Sequence, residues 1–191
     1  MVADGEPGLV APDVRYHRSF LAAMAEDRGY AATAGLDLAH LLAPAAFARY
    51  VAALRADVEE ASPRPTLFVP QTVLWWVRDG EVLGRVGIRH RLNHRLRTFG
   101  GHIGYWVRPS ARRQGHAGAA FRAGLAVAHG LGIDPALLTC DHDNEASRRV
   151  IEGAGGRFEQ VLGAKRLYWV PTRPRVPAAG PPGSGSAAVP V

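Results

Sequence analysis

The sequence predicts a mixed α/β (α+β) domain, with a mostly antiparallel central sheet that becomes locally parallel in its second half and helices packed on it. Three observations carry this. Apolar residues recur at helical spacing between positions 16 and 60, ahead of the first strand-like run. Two runs rich in branched and aromatic residues flank Asp79-Gly80, a strong hairpin signal. Residues 102–140 then read strand, basic glycine-bearing turn, helix, strand. A length of 191 residues with 47% apolar content suits one domain with a sizeable core.

Residues 1–13 (MVADGEPGLVAPD) read as a flexible N-terminal arm; they are acidic and lack an apolar signal core, which argues against export. Tyr16 to Asp27 forms a first helix, with Phe20, Leu21 and Met24 apolar and Gly29 ending it. The interval 36–60 is a second helical region divided by Pro44, with Phe47, Tyr50, Val51, Leu54 and Val58 in one stripe. Ser62 to Pro65 is a connector. Thr72 to Arg78 and Glu81 to Arg89 are the hairpin strands, and Gly84 and Gly87 mark a bulge or a close neighbour. Residues 90–100 are a basic loop with room for a helical turn. His102 to Val107, the helix from Gly115 to His129 and Ala136 to Cys140 make a βαβ unit, for which two parallel strands and a right-handed crossover are expected. Asp143 or Asn144 caps a helix over Glu145 to Gly153, and Phe158 to Leu162 pairs with Arg166 to Val170 across Gly163-Ala164. From Pro171 to Val191 the chain is a Pro/Gly/Ser/Ala tail, expected to be disordered, so the folded domain is placed at 14–170.

Composition excludes several classes. The net charge of +6 is carried almost wholly by arginine, Lys165 being the one lysine; a GC-rich coding sequence and a specific anionic ligand both account for that. No basic patch is interleaved with aromatics, which speaks against a nucleic-acid partner and leaves a basic nucleic-acid-binding module as a reading carried by charge alone. One cysteine, Cys140, permits no internal disulfide and points to a reducing, cytoplasmic compartment. No run of 18 apolar residues suggests a membrane span, and the histidines lack zinc-site spacing, so no metal is expected.

The chemistry concentrates in Arg112-Arg113-Gln114-Gly115-His116-Ala117-Gly118, between a strand and a helix. This is neither a dinucleotide fingerprint nor a Walker A loop. Its small residues let the backbone approach a phosphate, its arginines supply charge, and a helix N-terminus offers free N–H groups. By itself the pattern also fits a surface loop with stray arginines. Residues 139–158 (TCDHDNEASRRVIEGAGGRF) add a strand end, an asparagine, a helix and a double glycine.

Together the two stretches resemble the GNAT superfamily of acyl-CoA N-acyltransferases, in particular a subgroup of bacterial acetyltransferases whose PQTVLWWV and RHRLN segments also fit; the likeness spans roughly residues 15–170. It implies a GNAT-like sheet in which the two parallel strands, 102–107 and 136–140, splay apart at their C-terminal ends. It implies acetyl-CoA as co-substrate, with the pyrophosphate on Arg112 to Gly118 (His116 included), the pantetheine arm beside Tyr105, Trp106 and Val107, and Asn144 and Ser147 near that arm. A backbone N–H near Val107 then polarises the thioester, and a primary amine on a small molecule or peptide attacks directly in a ternary complex. Many relatives carry a tyrosine seven residues after the asparagine; here that position is Ile151, so the usual proton donor is missing. Tyr105 and Tyr168 replace it by chemistry only, and each also suits a packed strand.

The base is equally open. His102 has a suitable ordinary pKa, and Asp141 and His142 lie just past the second splayed strand; each is also an ordinary surface or structural residue. Arg89, His90 and Asn93 are candidates for orienting an acceptor carboxylate or phosphate, or simply a basic loop. Cys140 at a strand end reads as a small buried hydrophobe. A non-catalytic acyl-CoA-binding or sensing domain is the competing reading, encouraged by Ile151. An exposed sheet edge leaves a homodimer open.

Overall fold

The computed structural model describes residues 5–173. Strands Gly8–Val10 (β1), Gln71–Arg78 (β2), Glu81–Arg89 (β3) and Ile103–Val107 (β4) form one antiparallel sheet in that order. Strands Ala136–Asp141 (β5), Arg157–Leu162 (β6) and Lys165–Val170 (β7) form a second, ordered β5-β7-β6 and also antiparallel. Helices His17–Glu26 (α1), Arg28–Thr33 (α2), Leu38–Leu41 (α3) and Pro44–Ala56 (α4) occupy one side of the first sheet. His94–Phe99 (α5) fills the basic connection between β3 and β4, His116–Gly130 (α6) packs on the opposite face, and Glu145–Gly153 (α7) follows β5.

Two apolar cores follow from strand alternation. Val73 and Trp75 of β2 face Phe20 and Phe47, with Trp75 stacked on Phe20 at 4.9 Å. Val86 and Ile88 of β3 face Phe121 and Leu125 of α6, and this second core continues into Leu138, Tyr168 and Val170 of the other sheet. The ladder bulges between Trp76 and Val77, so Leu83 is the extra residue on β3 and the alternation inverts there. Val82 therefore packs with the α1 layer, although Val86 faces α6.

Three expectations need correction. Residues 8–10 of the supposed arm are β1, with Gly8 opposite Val77 and Val10 opposite Trp75. Asp13 accepts the Arg15 N–H at 3.0 Å, starting a 3-10 turn at Val14–Tyr16. A three-residue strand whose partner lies more than 60 residues away leaves no local periodicity to read. Next, the sheet opens between β4 and β5 as a splayed pair implies, but no parallel ladder joins them, only one bridge of antiparallel type, Gly101 to Leu138. Finally, the domain runs past 170. Thr172 is 2% exposed; its hydroxyl donates to the Ile133 carbonyl at 2.7 Å and its N–H to Asp134 at 3.0 Å, while Arg173 pairs with Asp134 at 3.0 Å. Pro/Gly-rich composition hides this anchor. Residues 174–191 of the expected disordered tail lie outside the described residues.

Candidate active site

The opening between β4 and β5 is built by hydrogen-bond parity. Arg89 N–H donates to the His102 carbonyl at 2.8 Å and Arg108 N–H to the Leu83 carbonyl at 2.9 Å. Between these anchors the antiparallel ladder alternates. Gly104 and Trp106 thus turn their backbone groups to β3, whereas Tyr105 and Val107 turn theirs into the opening. At the other end the seam is closed: His102 N–H donates to the Leu137 carbonyl at 2.7 Å, and Leu137 N–H donates to His102 Nδ1 at 2.9 Å. Gly101 makes the closure possible, because at its φ of +62° a Cβ would stand 2.3 Å from the Leu137 oxygen.

The open end widens into a cleft of about 540 Å³ bounded by Tyr105 to Val107, the 111–118 turn and the first turns of α7. Gly115, at φ +82°, turns the chain into α6. The first helical bond runs from Ala119 N–H to the Gly115 carbonyl at 3.1 Å, so the N–H groups of His116, Ala117 and Gly118 precede it and have no partner within the helix. His116 is 6% exposed; Trp76 Nε1–H donates to its Nδ1 at 3.3 Å, which assigns the ring proton to Nε2. That Nε2 is buried without a partner among the described residues, and burial lowers the ring's pKa. Such a cluster of donors at a helix N-terminus suits an anion.

Two acids at the end of α1 hold the turn in place. Glu26 accepts from the Arg108 guanidinium and from Ser110 N–H at 2.9 Å; the Arg108 bond draws its pKa down to about 2. Asp27 accepts from Trp106 Nε1–H at 3.0 Å, Tyr30 N–H at 3.0 Å and Arg112 at 2.6 Å, and the Trp106 bond leads in lowering its pKa. Arg112 also donates from Nε to the Val107 carbonyl at 3.0 Å, and Gln114 donates to the Ser110 carbonyl at 3.2 Å. These two side chains therefore brace the turn, while Arg113, at φ +64°, lies open in the cleft wall. Nothing in the sequence marks Glu26 and Asp27; their partners lie about 80 residues on.

Of the remaining candidates, Tyr105 and Ser147 meet: their hydroxyls are 2.8 Å apart in the cleft, and burial raises the Tyr105 pKa. Asn144 lines the cleft too, but its Oδ1 accepts the Ser147 N–H at 2.9 Å and caps α7. Ile151 is a core residue, and Tyr168 donates to Glu152 at 3.2 Å, away from the cleft.

The other proton carriers are not brought there. His102 belongs to the closed end, where burial and then Arg97 and Arg89 push its pKa down to about 4; it is a neutral structural acceptor. Asp141 pairs with Lys165 at 2.6 Å, and the His142 backbone N–H bonds the Ala164 carbonyl at 2.9 Å; neither lines the cleft. Cys140 is buried, and burial raises its thiol pKa. His90 Nε2 is 2.8 Å from the Thr72 hydroxyl, and Asn93 caps α5 through Leu96 N–H at 3.0 Å while donating to the Leu67 carbonyl at 3.0 Å. Both serve local structure. Arg89 differs: its Nη1 donates to the Gly100 and Gly101 carbonyls at 3.2 and 3.1 Å, and it lines a separate cavity of about 260 Å³.

A larger groove of about 670 Å³ lies between α1, α2 and α3, but it is apolar except for Arg28 and Asp37. Among the described residues, no group of three or more His, Cys, Asp or Glu is placed to hold a metal ion, and no helix is long and apolar enough to cross a membrane.

Comparisons with known proteins bear on this geometry. Curated protein sequences yield no match. Among solved structures, RimJ of Mycobacterium smegmatis in complex with CoA-disulfide superposes with a TM-score of 0.65 at 23% identity, over 87% of this chain and 82% of that one. The microcin C7 self-immunity acetyltransferase MccE, solved with acetyl-CoA and AMP, gives 0.61 at 14% identity over 89% and 97%. RimL, a ribosomal L7/L12 α-N-protein acetyltransferase in complex with coenzyme A, gives 0.60 at 15% over 90% and 96%. These likenesses establish a shared fold. The sequence itself matches the acetyltransferase (GNAT) domain over residues 35–157, a span holding the seam, the 111–118 turn and α7, and the chain belongs to that family.

Proposed function

We propose that the protein is an N-acetyltransferase that passes an acetyl group from acetyl-CoA directly to a primary amine, on a small molecule or a peptide, in a ternary complex. The observation that carries this is the open seam, where the unpaired backbone groups of Tyr105 and the Val107 N–H lead to the donor-rich turn at 112–118. The turn fits a diphosphate: His116, Ala117 and Gly118 offer N–H groups, the buried Nε2–H of His116 lacks a partner, and Arg113 adds charge. An extended pantetheine arm suits the seam, because it replaces the strand-to-strand bonds missing there.

In this reading the uncharged amine attacks the thioester carbonyl; a C–N bond forms, the C–S bond breaks, and a thiolate leaves. The Val107 N–H stabilises the negative oxygen of the tetrahedral stage. The Tyr105 hydroxyl, oriented by Ser147, gives its proton to the departing thiolate in place of the tyrosine that Ile151 replaces. The amine's surplus proton goes to water, since His102, Asp141 and His142 lie outside the cleft, and water returns a proton to the Tyr105 oxygen to close the cycle. Alignment of the two substrates supplies most of the rate. A reducing, cytoplasmic setting accords with the single buried thiol of Cys140.

Calorimetric titration with acetyl-CoA, followed by thiol release across amines and peptides, tests the proposal. Saturable binding with amine-dependent thiol release is the expected result; no binding at millimolar acetyl-CoA would sink it. Binding without release on any amine would favour the acyl-CoA-sensing alternative, for which Ile151 is the specific observation.

A further inference from the structure

On β3, Val86 and Ile88 are buried toward α6, so Arg85, Gly87 and Arg89 face the α1, α2 and α4 layer. Across the ladder Gly87 pairs with Gly104 and Arg85 with Trp106. Two glycines side by side leave the sheet bare at that point, and Gly104 is exposed although it lies inside a strand. Arg89 reaches over the gap: a Cβ at Gly104 would stand 4.0 Å from its Nη1, and one at Gly87 would stand 3.7 Å from Gln71 Oε1. At the Arg89 end opens the cavity of about 260 Å³, lined also by Arg95, Phe68 and Phe99 and by no acidic residue.

This corner holds positive charge without a counter-charge. Neither Arg85 nor Arg89 forms an ion pair among the described residues. Asp57, which accepts from Gln71 at 2.8 Å, is committed to Arg64 at 3.2 Å. The pKa of Arg89 is lowered, first by desolvation and then by Arg85. The Tyr50 hydroxyl, whose charge neighbours include Arg85, is buried without a partner. A desolvated guanidinium with no carboxylate is costly, and an anionic ligand removes that cost.

We infer that the bare strip at Gly87 and Gly104, flanked by Arg85 and Arg89, seats the acceptor, and that the acceptor is an amine bearing an anionic oxygen group, a carboxylate or a phosphate. This rests on the acetyl-transfer reading above. Its logic is positional. Gly104 belongs to the strand whose next residue, Tyr105, faces the seam, so an amine held over Gly104 by its acidic end sits across β4 from the thioester. The arginines fix the acidic end, Tyr50 supplies a further donor, and the aromatic rim of Phe68 and Phe99 limits the size of the rest of the acceptor.

Matched amines test it: β-alanine against β-alaninamide, phenylalanine against its amide, and O-phosphoethanolamine against ethanolamine. Thiol release should give at least about tenfold higher kcat/KM for the acidic member of at least one pair, and the winning pair identifies carboxylate or phosphate. Arg89→Gln and, separately, Arg85→Gln should erase that preference while acetyl-CoA affinity stays at the wild-type value, and Arg89→Lys should restore part of it. Neutral members that match or outrun their acidic partners in all three pairs would overturn the inference. If acetyl-CoA fails to bind, the acetyl-transfer reading falls on its own. The anion seat is then judged by melting temperature: an acidic compound should raise it in the wild type and not in Arg89→Gln, and no shift with any of them counts against the seat.

Discussion

The two ends of the seam along β4 behave oppositely within one short strand. At Gly101 and His102 the strand is stitched to β5 by two hydrogen bonds and a contact only glycine allows. From Tyr105 to Val107 the same edge is bonded to no strand, only the Val107 carbonyl meeting Arg112, and it faces a cleft. Closure depends on special residues. The open end is kept by absence of pairing, with a braced turn and the capped start of α7 as its walls. Unpaired backbone groups are tolerated where solvent or a ligand reaches them.

Breaking the closed end should have the largest effect. Gly101→Ala drives a methyl into the Leu137 carbonyl at a positive φ, and we expect a loss of about 3 kcal/mol or more, read from the urea midpoint. At the open end, Tyr105→Phe removes the hydroxyl that meets Ser147; kcat should fall by about 10²-fold while KM for acetyl-CoA moves far less. An unchanged kcat would move the proton donor elsewhere. Gly115→Val, at φ +82° with open space around it, should weaken acetyl-CoA binding about tenfold by tilting the turn, with a smaller cost in stability.

The mildest expected effect concerns pH at the closed end. His102 titrates near 4 in the fold against 6.5 ordinarily, so the fold favours its neutral form. Its stabilising contribution is complete above pH 6.5 and fades as pH falls from there toward 4. His102→Gln, which keeps an acceptor for the Leu137 N–H, should flatten the difference in urea midpoint between pH 7.5 and 5. An equal slope in both proteins would assign that dependence to another group.

Legibility in the sequence divides along the same line. The open end is written in consecutive residues: Arg112 to Gly118 encode the turn, and Asn144 to Ser147 encode the cap. Hairpin β2–β3 was legible through Asp79-Gly80, and α6 through its alanines. The closed end was not legible, since His102 looks like any titratable histidine until Leu137 N–H meets its Nδ1. The corner proposed for the acceptor is legible only at Arg89. Arg85, Tyr50 and Gly104 come together by strand register and by the packing of α4, which no local pattern encodes. His90 and Asn93 show what spacing alone leaves out: the His90 ring meets the Thr72 hydroxyl, and Asn93 caps α5 and donates to the Leu67 carbonyl.

The core shared by the two sheets gives the seam a further property. Phe121 packs at 5.3 Å from the Tyr105 ring on one side of the gap, while Leu138, Ile151 and Tyr168 fill the same core from the other. Such aliphatic and aromatic contact has no preferred direction, and the polar links across the gap include the two bonds at His102 and the Tyr105–Ser147 hydroxyl pair. The seam is in this respect a jaw, pinned at the His102 end and walled largely by apolar side chains. Amide deuteration would register the bite: protons at Tyr105 and Val107 exchange freely while the jaw is empty and slow sharply once something extended is gripped between the sheets.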